Sequence, residues 1–426
     1  MKKILILFSV LAAAAMVFAT EARVESMGNN SDFIRDDVSV FENPATAFDF
    51  GNLLVGALGK LEKRDNQWER QDEWFGGWAV YPLNDKVKLG LGATLNRQFS
   101  LISQYQSLND KDFFWIQNGN DRFQLRNGTL FVDLLDILNM PAPYGNVYAF
   151  GGATYDNFLS VAVGGRYAGY QKDSGSRNNS AISVSGGNLG VVYRFDQHSL
   201  EADINYDNFQ LTKNADFLDV NDTVRPVKLS YDENSFNVKL RMMYVLSPKN
   251  TIVPVLLLDK TNILGISNTD LGAGVGFTRA LYKGSVWAGM KYVNHAATYP
   301  DLVLGQPIYT KDGNTQLPPG VKESSNKLVY SFGVEKKMLW DWFTLRVGGN
   351  KVFEYLTKKD KDEKATIEQS LQERDVDAVA WGIALGTPDD RLLFDITVSE
   401  AFPYSNFLAG GEDGVMLYRI SAALKF

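Results

Sequence analysis

The chain contains no cysteine in its 426 residues, so neither disulfides nor thiolate metal sites hold it together. It has two histidines, His198 and His295, which leaves little material for imidazole chemistry or a His-based metal site. Positive charge is in deficit: 43 Lys and Arg stand against 50 Asp and Glu, whereas a nucleic-acid partner calls for a basic footprint. After Ala22 no window is long, apolar and uncharged enough for a spanning helix, and the mean hydropathy is −0.18.

What is present begins with an export signal. Lys2 and Lys3 precede an apolar stretch from Ile4 to Phe18 interrupted by Ser9, and Val17-Phe18-Ala19 has the small-residue pattern of a signal-peptidase site. Cleavage after Ala19 is expected, with Ala22 as second choice. A retained anchor is disfavoured, because the run is short and polar residues follow at once. Without Lys2 and Lys3 the balance is 41 basic to 50 acidic residues, a net charge of −9.

Beyond the signal, hydrophobicity alternates with a period of two. Leu200, Ala202, Ile204 and Tyr206 oppose Glu201, Asp203, Asn205 and Asp207, and Phe236, Val238, Leu240, Met242 and Tyr244 oppose Asn237, Lys239 and Arg241. Leu189, Val191, Tyr193 and Phe195 form another such face, as do Val379, Trp381, Ile383 and Leu385. This is the strand signature. The runs of about ten residues suit a membrane barrel better than a soluble sandwich, whose strands average five or six.

Connections support the same reading. Short joints fall at Pro82–Lys86, Asp156–Leu159, Asp196–Ser199, Ser247–Asn250, Tyr282–Gly284, Leu339–Trp342 and Thr387–Asp390. Long polar joints fall between them at Gln98–Asn146, Gln171–Ala181, Lys213–Asp232, Asn262–Asp270, Ala297–Asn326, Leu356–Asp375 and Phe402–Gly414. Tight periplasmic turns alternating with long outer loops characterise outer-membrane barrels. Aromatics near the short joints, including Tyr81, Phe195, Tyr244, Tyr282, Trp340 and Trp342, fit an interfacial girdle. The fold expected is all-β: a transmembrane antiparallel up-and-down β-barrel of about 14–16 strands with a short N-terminal plug segment. Its divisions are a signal peptide over 1–19, a plug over 20–50 and the barrel over 51–426, located in the cell outer membrane.

In the last strand Tyr418, Ile420, Ala422, Leu424 and Phe426 share one face, and Arg419, Ser421, Ala423 and Lys425 the other. A terminal strand ending in an aromatic residue resembles the signal by which the barrel-assembly machinery recognises its clients. Tyr418, Ile420, Leu424 and Phe426 are therefore the candidate assembly signal. An ordinary C-terminal strand is the plainer alternative.

Ala22-Arg23, Met27-Gly28, Asp36-Asp37, Phe41 and Asn43-Pro44-Ala45 resemble the start of the FadL-type outer-membrane barrels, and Gly333-Val334-Glu335 with Leu345-Arg346-Val347-Gly348 resembles a hairpin of the same group. That superfamily includes long-chain fatty-acid transporters, aromatic-hydrocarbon channels and the PorV-type barrels of type IX secretion. The resemblance implies a plug inside the barrel and passive uptake of a hydrophobic small-molecule ligand. The alternative it implies is a non-transporting scaffold or secretion partner. A general aqueous porin is disfavoured by the plug. Expected partners are outer-membrane lipid, the assembly machinery and such a ligand, with no nucleic acid and no cofactor or metal.

Asn43, Pro44 and Ala45 are the plug or gate candidates, since Pro44 fixes its own φ and extends Asn43, making a stiff bend. A turn that merely packs the plug is the plainer alternative. The chain is not expected to be an enzyme: His198 falls at a rim turn, and His295, on the lumen side of its strand, reads as a solvated lining residue. Gly272, Gly274 and Gly276 keep one inner face slim, and a short helix is expected over Ala365–Arg374. If Trp340-Asp341 is a two-residue loop, pairing partners sum to 681. Val334 then faces Val347, Phe332 faces Gly349, and Glu335 meets Arg346 inside the lumen as a candidate charge pair.

Overall fold

The computed structural model describes residues 21–28, 31–37, 39–58, 60–64, 67–71, 73–97, 144–172, 180–218, 224–299, 320–338, 342–359, 366–374, 379–387, 391–399, 414–417 and 419–426. The signal segment 1–19, Trp340-Asp341 and Tyr418 lie outside these residues.

Sixteen antiparallel strands close into a barrel. They run up and down in order as β1 (Leu53–Ala57), β2 (Trp74–Pro82), β3 (Val87–Leu95), β4 (Tyr144–Tyr155), β5 (Leu159–Lys172), β6 (Ser180–Phe195), β7 (His198–Leu218) and β8 (Val224–Ser247). The circuit continues through β9 (Asn250–Ile263), β10 (Ile266–Leu281), β11 (Gly284–Thr298), β12 (Lys322–Lys337) and β13 (Phe343–Lys359). It ends with β14 in two pieces, Thr366–Arg374 and Ala380–Gly386, then β15 (Leu392–Ser399) and β16 (Arg419–Lys425). Both pieces of β14 pair with β13, and β1 pairs with β2 on one side and β16 on the other, which closes the wall. Closure leaves no lipid-facing strand edge with unsatisfied peptide groups.

The alternation read from the sequence sorts side chains between lipid and lumen. Leu200, Ile204 and Tyr206 are exposed on the outer face, while Glu201, Asp203 and Asp207 are buried on the inner one. Short turns use the backbone conformations that tight hairpins require. Asp156 and Asn157 have φ of 50° and 56°, and Asp196 has 51°, the left-handed region these short polar residues tolerate.

Three sequence expectations are corrected at the long-loop end. The Lys213–Asp232 joint is mostly sheet, because β7 continues to Leu218 and β8 starts at Val224. Asn262–Asp270 is a hairpin, with Leu264-Gly265 (φ 53° and 79°) between paired Ile263 and Ile266. The helix expected within Ala365–Arg374 is a strand over Thr366–Arg374, held by ladder bonds to Val352–Lys359. Above the lipid both strand faces meet water, so hydrophobic alternation disappears although the backbone pairing persists.

Residues 21–50 form α1 (Glu21–Ser26), α2 (Ser39–Glu42), a 3-10 turn (Pro44–Thr46) and α3 (Ala47–Phe50). Helix α1 packs on β13–β16, whereas the 3-10 turn packs on β4–β6. Those strands belong to different arcs of a closed wall, so the segment lies within the lumen.

Candidate functional site

The site is the lumen together with the segment that occupies it. At the short-turn end Arg23 of α1 donates to both carboxylate oxygens of Glu335 on β12, at 2.8 and 3.1 Å, and to Asp36 at 2.9 Å. Arg346 on β13 donates to the same Glu335 at 2.6 Å and also to Asp395 on β15. One carboxylate is thus shared by two guanidiniums, one from the wall and one from the segment. Burial works to lower the Arg23 pKa, but the Asp36 and Glu335 carboxylates outweigh it and hold the value well above the ordinary one. Asp37 lies beside this network, and burial together with the neighbouring Asp36 charge pushes its carboxyl well above the usual range. Next to these groups opens a cavity of about 720 Å³, lined by Arg23, Asp37, Glu335, Arg346, Arg391 and Lys425 among others.

Further along, Phe33 enters a socket that only glycines can form. A Cβ on Gly276 or Gly289 would lie 2.7 or 2.3 Å from its ring, and the ring stands 6.1 Å from that of Trp287. Asp32 bridges Lys239 on β8 (2.7 Å) and Lys291 on β11 (2.5 Å). Burial would raise the Asp32 pKa, yet the two ammonium groups drive it far below the carboxylate range. Glu42 is lowered likewise: burial is outweighed by Lys239, 2.8 Å away. Arg241 donates to the carbonyls of Ser31 (2.8 Å) and Ile34 (3.2 Å) while paired with Glu201 at 2.6 Å.

Asn43 uses both ends of its amide. Its oxygen caps the 3-10 turn by accepting from Ala45 N (3.1 Å), and its nitrogen donates to the carbonyls of Val191 (3.3 Å) and Ala202 (3.1 Å). Pro44 and the Asn43 oxygen lie against Gly190, where a Cβ would come within 2.2 Å of that oxygen. Ala45 is fully buried and packs with Ala162 and Val192.

Above the segment one side of the lumen is apolar. A single cluster joins Val40 and Phe41 of the segment to Trp74, Trp78, Tyr148 and Phe150, then to Ile182, Val184, Phe209 and Leu211, and finally to the inturned hairpin tip Ile263, Leu264 and Ile266. Phe41 meets Trp74 edge-on at 5.1 Å, and the Arg97 guanidinium lies over the Phe41 ring at 4.2 Å. Polar pairs line β10–β13 nearby: His295 Nδ1 lies 2.5 Å from Asp270 Oδ1, and Ser325 donates to Glu354 at 2.7 Å. Among the described residues no cluster of His, Asp and Glu could hold a metal.

The structure brings Glu335 and Arg346 together as paired positions, with partners summing to 681 along the β12–β13 ladder. Val334 faces Val347 and Phe332 faces Gly349. Ile420 and Leu424 lie in β16, and the Phe426 amide donates to Asn52 O at 3.4 Å, with its ring exposed. His198 opens β7, its ring stacked on Tyr244 at 4.6 Å. Arg23, Asp32 and Phe33 were not singled out as site residues from the sequence. The Arg23–Glu335 contact spans 312 positions, and no local pattern signals such a distance.

No protein-family model matches the chain, and no curated protein matches it. Solved structures similar to it are outer-membrane proteins. In-vitro folded OmpT of Vibrio cholerae aligns at 12% identity and TM-score 0.35, covering 88% of this chain and 96% of that one. The toluene transporter TodX of Pseudomonas putida aligns at 14% identity and TM-score 0.36, covering 80% and 96%. BamA of Haemophilus ducreyi lacking POTRA domains 1–3 aligns at 9% identity and TM-score 0.36, covering 88% and 70%.

The expectation that the chain is not an enzyme is not upheld. That expectation treated His295 as a solvated lining residue. Instead its side chain is 14% exposed, paired with Asp270, and 4.0 Å from Glu323 through Nε2. From the closed sixteen-strand wall with its apolar outer face, the chain is an outer-membrane β-barrel.

Proposed function

We propose that the barrel is a channel for passive uptake of hydrophobic small molecules, with residues 21–50 as the plug that controls passage. The observation that carries this reading is the continuous apolar cluster from the outer hairpin tip to Phe41 of the plug. A water-filled porin lumen is polar, whereas one side of this one is filled by apolar side chains packed down to the plug. The FadL-type resemblance of residues 22–45 supports the same reading. The test is extraction in mild detergent followed by mass spectrometry of co-purified lipophiles. A bound fatty-acid- or hydrocarbon-like molecule, displaced by Phe209→Asp, is expected. A barrel that carries no lipophile and lets sugars swell proteoliposomes overturns the reading.

A second reading, a non-transporting scaffold or secretion partner of PorV type, is favoured by one observation. The plug is tied to three strands of the wall, by Arg23 to Glu335 on β12 and by Asp32 to Lys239 on β8 and Lys291 on β11. Cysteines at Glu25 and Arg419, whose side chains meet at 3.0 Å, allow a short thiol crosslinker to lock plug to wall. Uptake lost on locking supports a moving plug. Uptake absent before and after locking supports the scaffold.

A further inference from the structure

Three lumen side chains stand in one row across adjacent strands. The ladder pairs Asp270 of β10 with His295 of β11, and His295 with Ser325 of β12. Directly opposed side chains on one face lie about 5 Å apart at Cβ. Nδ1 of His295 is held by Asp270 at 2.5 Å, which turns Nε2 toward β12, where it lies 4.0 Å from Glu323. Ser325 is buried, and its hydroxyl donates to Glu354 of β13 at 2.7 Å. Lys327 sits 3.5 Å from that same carboxylate. The register thus puts the hydroxyl on the same face as His295, its directly paired neighbour, and Glu354, its acceptor.

We propose that Asp270, His295 and Ser325 form a hydrolytic site in the lumen for esters with an apolar acyl chain. The order carboxylate, imidazole, hydroxyl is the one nucleophilic catalysis needs, with the carboxylate fixing the tautomer that leaves Nε2 free to take a proton. Ser325 Oγ attacks the ester carbonyl carbon while its proton passes to His295 Nε2. That proton then goes to the departing alkoxide, which leaves as an alcohol. Water, losing a proton to the same nitrogen, attacks the acyl-serine. The carboxylic acid leaves and Oγ regains its proton, so ester and water become acid and alcohol.

Tyr299 argues for the acyl specificity. Its hydroxyl donates to Glu323 at 3.2 Å, beside the imidazole, while its ring packs against the apolar cluster. An acyl chain in that cluster brings its carbonyl toward the row. This specificity rests on the apolar-lumen reading, but the nucleophile does not.

A fluorophosphonate probe, which phosphonylates activated serines, is applied to the full-length folded barrel in detergent and the adduct is mapped by mass spectrometry. Labelling at Ser325 is expected. Ser325→Ala should abolish it, and His295→Gln should slow it at least tenfold with heat-modifiable migration unchanged. Glu354→Gln, which removes the competing acceptor charge, should retain labelling. Asp270→Asn should slow labelling at least several-fold with heat-modifiable migration unchanged, whereas a merely structural pair would leave the labelling rate as it is. No adduct at Ser325, or labelling indifferent to His295→Gln, overturns the proposal. Labelling needs no transport, so its failure leaves the uptake reading standing.

Discussion

Arg23 of the N-terminal segment and Arg346 of the wall share the carboxylate of Glu335, at 2.8 and 2.6 Å on the same oxygen. The hairpin register and the docking of that segment, the proposed plug, therefore meet in one side chain. Glu335→Gln is expected to weaken plug docking by about 3 kcal/mol, since removing one partner of a mostly buried pair strands the other. The barrel should persist on unboiled gels while the plug becomes sensitive to protease. Exchanging only the wall charges (Glu335→Arg with Arg346→Glu) should not restore protection, because Arg23 would then face a like charge. Adding Arg23→Glu should not restore it either, because Asp36 and Asp395, which accept from Arg23 and Arg346, would then each face a like charge.

The Phe33 socket supplies a second prediction. Phe33→Ala should destabilise docking by about 3–5 kcal/mol, the usual range for deleting a buried aromatic side chain. Gly289→Val should have a similar effect from the wall side, because even a Cβ there would stand 2.3 Å from the ring. Hydrogen exchange over residues 31–50 measures both, and unchanged protection in Gly289→Val would contradict the packing.

Docking should also depend on pH in two opposed ways. Asp32 is depressed in the docked state, so its contribution is present above the free value of about 4 and is lost as pH falls toward its lowered docked value. Glu42 adds to this acid limb. Asp37 is raised, so its protonated form favours docking, and that contribution fades as pH climbs from about 4 through the raised docked value. Protection of the plug from protease should peak in mildly acidic buffer. Asp37→Asn should remove the decline on the alkaline side and leave the acid limb in place.

Orientation can be tested with cysteines introduced into this cysteine-free chain. Gly265→Cys in the outer hairpin should react with an impermeant maleimide on intact cells, and Gln197→Cys in the short turn should not. The reverse pattern would invert the topology.

Assembly is the last of these tests. Deleting Phe426 should lower the yield of folded barrel in vivo several-fold, measured by heat-modifiable migration. Its amide closes the ladder at Asn52 while its ring stays exposed, so little folded-state packing is lost. An unchanged yield would remove the assembly-signal reading.

The wall was legible in the sequence wherever one face meets lipid and the other a polar lumen. Leu200 to Asp207 illustrates this, because its two faces differ at every step. Legibility failed at Ile263–Ile266, where a leucine takes a left-handed turn conformation and the flanking polar residues imitate a loop. It failed again at Thr366–Arg374, where sheet pairing overrides a helix-like pattern. Within the lumen, the Glu335–Arg346 register follows from a short loop and simple counting. Arg23, Asp32 and Phe33 do not, because their partners are set by closure of the whole barrel.

Strands β7 and β8 run for 21 and 24 residues. At about 3.3 Å per residue and a tilt of roughly 40°, they rise on the order of 50–60 Å, about twice the apolar band of such barrels. Half of this arc therefore stands above the membrane as a hydrogen-bonded parapet. A phage or an antibody approaching there meets a rigid sheet surface, and an epitope on it will survive sequence drift in the loops but vanish when the barrel is denatured.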